Sequence, residues 1–171
     1  MTVHSDFERK YSFAPDPWEV TSHSSYYEEL RRFICQSRTN RWNKALDCGC
    51  GEGHFTSQLT DLCGEVHGVD VSRTAIDRAR KQYSDGFWHN TDVRNIKDLD
   101  FPAGNFDLIV CSQLLYYLAW SEASAFLTSL ETLLSPDGVL CVAAYCPGGE
   151  YLSEVELRAM VEEFFQIHRV I

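Results

Sequence analysis

No stretch of this 171-residue chain is apolar for long enough to cross a bilayer, which takes about 20 such residues. Basic residues are scarce: Lys and Arg total 15 against 25 Asp and Glu, a formal net charge of −10. Phosphate contacts need a basic surface, so nucleic acid is a poor partner for this composition. The first ten residues include Asp6, Glu8, Arg9 and Lys10 and lack the apolar centre of a secretory leader. Seven cysteines occur, yet none forms a Cys-x-x-Cys pair or a Cys/His cluster with ligand spacing, which argues against a zinc site. Their number is odd, and Cys48, Cys111 and Cys141 sit in or beside apolar runs. That suits small core residues in a reduced, cytoplasmic compartment. There is no internal repeat and no low-complexity tract. What remains is one domain over 1–171, with enough apolar residues for a real core and a charge compatible with a cationic or neutral small molecule as partner. Composition leaves monomer and homodimer equally open.

What the chain does have is glycine in a telling place. In Ala45-Leu46-Asp47-Cys48-Gly49-Cys50-Gly51-Glu52-Gly53 a short apolar run ends in an acid, and three glycines then alternate. Phe55, Leu59 and Leu62 follow on one helical face. The pattern predicts strand, tight loop and helix start. Glycine lets such a loop turn sharply and lets a ligand approach the backbone. The helix start adds N–H donors and partial positive charge, suited to a carboxylate or phosphate. A dinucleotide fingerprint would need Gly or Ala at the third position, where this chain has His54.

Around that loop, strands and helices alternate. Residues 1–25 show no clean period, and Pro15-Asp16-Pro17 forbids a continuing helix. A helix is predicted from about Tyr26 to Gln36. Then come strands at about Lys44–Cys48, Glu65–Val69, Gly86–Asn90, Phe106–Cys111 and Val139–Tyr145, and a last one near Ile167. Between them the pattern places helices at about Gly53–Leu62, Arg73–Gln82 with a Ser72 cap, Ser121–Leu134 and Leu152–Phe165. Ser135-Pro136-Asp137-Gly138 reads as a turn that breaks the third of them. This order implies an α/β fold, a doubly wound and mainly parallel sheet with helices on both faces. The near-continuous apolar runs fit strands buried on both sides.

Five segments then stand in the order shown by class I, Rossmann-like methyltransferases that use S-adenosylmethionine. They are the acid-and-glycine loop, His67-Gly68-Val69-Asp70-Val71-Ser72, Asn90-Thr91-Asp92-Val93, Phe106-Asp107-Leu108-Ile109-Val110-Cys111-Ser112, and Leu133-Leu134-Ser135-Pro136-Asp137-Gly138-Val139-Leu140. Asp16-Pro17-Trp18, Ser25-Tyr26-Tyr27-Glu28 and Ser112-Gln113-Leu114-Leu115-Tyr116-Tyr117-Leu118 further resemble the nodulation protein S group, which N-methylates an amine of a chitooligosaccharide. The resemblance implies a cofactor site at Asp47, Gly49, Cys50, Gly51, Asp70, Val71, Asp92, Val93 and Cys111, with S-adenosylhomocysteine as product. It also implies a lid in residues 1–40 over a core in 41–171, and acceptor contacts at Gln113 and Tyr116. In that group an acid is expected where Gln113 stands. The family sheet ends in an antiparallel hairpin, for which only Gln166–Ile171 is left; the hairpin is expected to be incomplete.

Single residues keep two readings each. Asp47 either accepts N–H groups of its own turn or meets the cofactor's amino end. Asp70 takes ribose hydroxyls or caps a helix, and Asp92 takes the adenine amino group or forms an Asx turn. Trp18 and Tyr26 pack the N-terminal segment or close over a sulfonium cation. Tyr117, the candidate for acceptor contact, shares with Tyr116 the chance of packing in the core. Two other functions use the same fold: an NAD-type oxidoreductase, and a non-catalytic protein that binds S-adenosylmethionine.

Overall fold

The computed structural model describes residues 3–19, 24–146 and 152–168. Five strands form one parallel sheet: β1 (Trp42–Cys48), β2 (Cys63–Asp70), β3 (Phe87–Asn90), β4 (Phe106–Ser112) and β5 (Leu134–Ala143), in the order β3-β2-β1-β4-β5. Successive strands run outward from β1 to β3, and the chain then returns to lay β4 on the other side of β1. The order therefore reverses between β1 and β4, which opens a crevice at their carboxyl ends.

Alternation along β1 shows why its sequence reads as one apolar run. Leu46 and Cys48 face a core built with Phe126, Leu127 and Leu130 of α5 (Trp120–Leu133) and Met160 of α6 (Glu154–Glu162). Ala45 faces the opposite core, with Leu30 and Ile34 of α2 (Ser24–Ser37) and Phe55 and Leu59 of α3 (His54–Leu59). Each face has helices to pack on, so no residue of the strand can be polar without a partner. The acid that breaks the rule in β4, Asp107, is buried and accepts from Asn43 N–H, Lys44 N–H and Arg38 Nη1 at 2.8–3.1 Å. It ties the start of β4 to β1. α4 (Arg73–Gln82) starts as expected, its Ser72 hydroxyl accepting from Ala75 N–H at 3.1 Å.

The third glycine of the loop serves packing. Gly53 has φ 80°, and a Cβ there would come within 2.4 Å of the Trp88 indole. Gly68 and Gly86 leave room for the same ring, whose Nε1–H donates to Tyr83 O at 3.0 Å.

Several boundaries differ from the sequence reading. α1 (Val3–Phe13) is a helix where no period was legible. Residues Val93–Leu99 form 3-10 turns, and Leu115–Tyr117 one more. β5 starts at Leu134, five residues early, because Ser135-Pro136-Asp137-Gly138 bulges out between Phe106↔Leu134 and Leu108↔Val139 without ending the strand. An edge strand tolerates a proline at such a bulge. The strand expected near Ile167 is absent over 166–168, where Ile167 packs on the α5/α6 core instead; 169–171 lie outside the described residues. Among the described residues no helix is long and apolar enough to cross a membrane, and no group of three or more His, Cys, Asp or Glu could hold a metal ion.

Candidate functional site

At the carboxyl ends of β1, β2 and β4 lies a cavity of about 460 Å³. Its floor is the glycine loop. Gly49 N–H and Cys50 N–H both donate to Val69 O, at 2.8 and 3.0 Å, which fastens the loop to β2. Gly49 and Gly51 take φ of 78° and 54°, a region that favours glycine. A Cβ at Gly51 would also come within 2.5 Å of Tyr11 Oη, so the position is doubly restricted.

Two buried carboxylates face this floor. Asp47, at the end of β1, accepts from the Thr56 hydroxyl at 2.6 Å. Burial pushes its carboxyl up to about 7, the nearby Asp70 adds to that, and Thr56 opposes it. Asp70, at the end of β2, accepts from Gly51 N–H at 2.9 Å and Ser72 N–H at 2.8 Å. Burial pushes it up to about 6 against those two hydrogen bonds. Neither acid has a cationic partner among the described residues. Of the readings left open, the cap of α4 belongs to Ser72 rather than Asp70, and Asp47 bonds a helix side chain rather than its own turn.

Past β2 and β3 the wall continues with Val71, and with Asp92 and Val93. Asp92 caps the 3-10 turn through Arg94 N–H at 3.0 Å, the Asx geometry, and also grips the Arg94 guanidinium. Arg94 reaches on to Glu122 at 2.8 Å.

The N-terminal segment forms the roof. Glu8 of α1 accepts from the Ser72 hydroxyl at 2.7 Å and the Thr74 hydroxyl at 2.6 Å. Arg78 of α4 binds Glu52 of the glycine loop at 2.6 Å and Ala14 O at 3.2 Å, and Asp16 N–H donates to Glu52 at 3.3 Å. These bonds hang Phe7, Tyr11 and Trp18 over the cavity, in ring contact with one another at 5.1–5.8 Å. Lys10 Nζ lies 5.1 Å from the Trp18 ring centre.

The far wall, past β4, is uncharged. Tyr26 Oη and Ser112 Oγ are 2.8 Å apart, and Gln113 Nε2 donates to Tyr26 Oη at 3.0 Å. Gln113 Oε1 accepts from Tyr116 Oη at 3.1 Å and Tyr145 N–H at 3.0 Å. Tyr117 stands edge-on to Phe7, ring centres 4.9 Å apart, and beside Tyr116.

Of the residues singled out from sequence, Trp18, Tyr26, Asp47, Gly49, Cys50, Gly51, Asp70, Val71, Asp92, Val93, Gln113, Tyr116 and Tyr117 all line this one cavity. Cys111 does not. It is fully buried opposite Cys48 in the α5 face of the core, because the alternation of β4 turns Ser112, not Cys111, toward the cavity. Sequence reasoning missed Phe7, Tyr11, Glu52, Arg94 and Tyr145. Glu52 alone carried a signal, a charge inside a glycine loop.

The family model of the methyltransferase domain matches residues 45–138. Nodulation protein S of Bradyrhizobium diazoefficiens is 31% identical over 142 residues, 80% of this chain and 66% of that protein. Phosphoethanolamine N-methyltransferase of Plasmodium falciparum is 24% identical over 120 residues, 70% of this chain and 45% of that one. The chain thus spans about half to two thirds of the length of these relatives. In structure, the N-methyltransferase NodS of Bradyrhizobium japonicum WM9, solved with S-adenosylhomocysteine, superposes with a TM-score of 0.78 at 24% identity, covering 94% of this chain and 84% of that one. With a family match over more than half its length and a parallel sheet in the order 3-2-1-4-5, the chain belongs to the class I S-adenosylmethionine-dependent methyltransferases.

Proposed function

We propose that this protein binds S-adenosylmethionine across the carboxyl edge of β1, β2 and β4 and methylates the nitrogen of a small amine, an amino sugar or amino-oligosaccharide. The observation that carries this reading is the pair of buried carboxylates, Asp47 and Asp70, which have no cation of their own among the described residues. Uncompensated buried charge is costly, so the pair suits a ligand that brings a positive charge and hydroxyl donors. S-adenosylmethionine offers an α-ammonium, a sulfonium and two ribose hydroxyls. The donor set therefore fits. Asp47 would take the amino end, Asp70 the ribose, and Asp92 with Val93 the adenine, while the glycine loop lets the ligand lie against the backbone.

When bound, the cofactor supplies a methyl group that passes to the acceptor's lone pair while the C–S electron pair stays on sulfur. The chain's own task is placement. Holding two reactants in line supplies up to about 7–11 kcal/mol in favourable systems. Phe7, Tyr11 and Trp18 line the cavity and would help exclude water around the bound reactants. The amine reading is supported by two names, the phosphoethanolamine N-methyltransferase among the relatives and the N-methyltransferase NodS among the similar structures.

Calorimetric titration tests the reading. Saturable 1:1 binding of S-adenosylmethionine and S-adenosylhomocysteine is expected, with no quenching on titration with NADH. Absence of saturable binding by either sulfur nucleoside would overturn it. Binding without methyl transfer to any of a broad set of amines and phenols would move the protein to the non-catalytic reading.

A further inference from the structure

The wall past β4 is polar yet carries no charge, and it is built with strain. Gln113 holds φ 54°, the left-handed region that non-glycine residues seldom enter. Strain of this kind persists where the surroundings over-determine it and concentrates at functional positions. Here the surroundings are explicit. Gln113 N–H donates to Ala143 O at 2.7 Å, and its carboxamide joins Tyr26, Tyr116 and the backbone at Tyr145. The Tyr145 N–H can only donate, so the oxygen of the carboxamide must face it and the nitrogen must face Tyr26. Glycine would relieve the strain and lose the hub.

Every polar group in this array is neutral at neutral pH. Burial raises the Tyr26 and Tyr116 hydroxyls further, which keeps them protonated. The carboxylates around the rest of the cavity are engaged elsewhere. Asp47 is bonded to Thr56 and Asp70 to the Gly51 and Ser72 N–H groups. Glu52 is paired with Arg78 and Asp92 with Arg94, and Asp16 lies in the roof segment, its backbone N–H donating to Glu52. The Trp18 face, the best aromatic surface for a cation, already has Lys10 over it.

We propose that the acceptor is taken as an uncharged amine, the free base rather than the ammonium ion, and that the carboxylate-free array held together by Gln113 sets this selection. The proposal rests on the methyltransferase reading above. An ammonium ion leaving water is best compensated by a carboxylate, and this wall offers an amide and hydroxyls instead. A hydroxyl acceptor needs a base to receive its proton, and no group of the array can act as one. A free amine needs neither. Its lone pair forms the new N–C bond, positive charge arrives on the nitrogen with the methyl group, and the surplus proton leaves to water.

The test is binding first and turnover second. Benzylamine and glucosamine are titrated into the protein loaded with S-adenosylhomocysteine, at a series of pH values below each amine's own pKa. Affinity should climb about tenfold per pH unit, tracking the free-base fraction. In Gln113→Glu, a carboxylate can accept from the same Tyr26 and Tyr116 hydroxyls and the Tyr145 N–H, so the fold should hold. That variant should bind the ammonium form, and its pH dependence should flatten. Gln113→Ala gives a second route should the glutamate variant misfold: weaker binding with the wild-type slope. Wild-type affinity that is flat or falls with pH overturns the proposal, as does methylation of p-cresol in preference to the amines. Failure of both amines to bind also overturns it, and bound S-adenosylhomocysteine in the same experiment leaves the methyltransferase reading standing. Loss of S-adenosylhomocysteine binding by the wild type removes that reading itself.

Discussion

One cavity has two unlike ends. On the β1/β2 side two acids are buried at the cost of raised pKa values and wait for a cation. On the β4/β5 side polar groups are as numerous, yet they satisfy one another and remain uncharged. Under the proposals above, the first arrangement would bind by charge and the second would select by protonation state. A change at one end should therefore leave the other end's preference intact.

The largest effect is expected from Asp70→Ala. This carboxylate sits at the end of β2 and also orders Gly51 and Ser72 through their N–H groups. Hydrogen bonds to a charged group are worth about 1.5–3 kcal/mol each. Loss of two such bonds from the ribose hydroxyls, which Asp70 would accept in the proposed complex, implies about a hundredfold or more in the dissociation constant of S-adenosylhomocysteine. The comparison sharpens if benzylamine still follows its free-base fraction once saturating cofactor product is supplied. It breaks if Asp70→Ala changes the slope of the amine titration.

The next effect is one of pH. Asp47 is pushed up to about 7 by burial, with Asp70 adding to the shift. Below that pH the unliganded carboxyl is neutral, and a cationic ligand must first displace its proton. Affinity for S-adenosylhomocysteine should fall by up to about tenfold per unit as pH drops through 7. Asp47→Asn should bind weakly throughout and lose the part of the dependence centred near 7, leaving only that of Asp70 near 6. The stability effect has the opposite sign. A carboxyl whose folded pKa exceeds the ordinary 3.8 holds its proton more tightly folded than unfolded. The unliganded protein therefore gains stability from Asp47 as pH falls from about 7 to about 4, seen as a rising Tm. Cofactor affinity and apo stability moving in the same direction with pH would rule out Asp47 as the titrating group.

The two ends were also unequally legible from the sequence. The charged end is local: an acid closing an apolar run, glycines at fixed spacing, another acid closing the next strand. Such signals survive because buried strands must be apolar and the residue that ends them stands out. The uncharged end is assembled from α2, the end of β4, the turn after it and the end of β5, so Tyr26, Gln113, Tyr116 and Tyr117 were named one by one, and their mutual bonding was not. α1 was missed because its inward stripe is just Phe7 and Tyr11, one turn apart, too narrow to show a period. Its remaining hold is tertiary, through Glu8 to α4. The early start of β5 was hidden by Pro136 and Gly138, turn residues that here fill a bulge.

That tertiary hold gives the smallest expected effect and the most direct check on the roof. Glu8 takes three hydrogen bonds at the start of α4, from the Ser72 hydroxyl and from the Thr74 hydroxyl and N–H. Its carboxyl is lowered: burial raises it, and the bonds from Thr74 and Ser72 outweigh that. The site is close to the surface, so the contact is worth about 1 kcal/mol. Glu8→Ala should leave the global Tm within a few degrees while speeding amide exchange in 3–13. Release of S-adenosylhomocysteine should quicken severalfold, because Tyr11, hung from the same helix, no longer stays against Gly51. Both ends of the cavity share this roof, so amine release should quicken alongside. An effect confined to one ligand would mean that the roof belongs to one end, and that the two halves are less alike in access than in architecture.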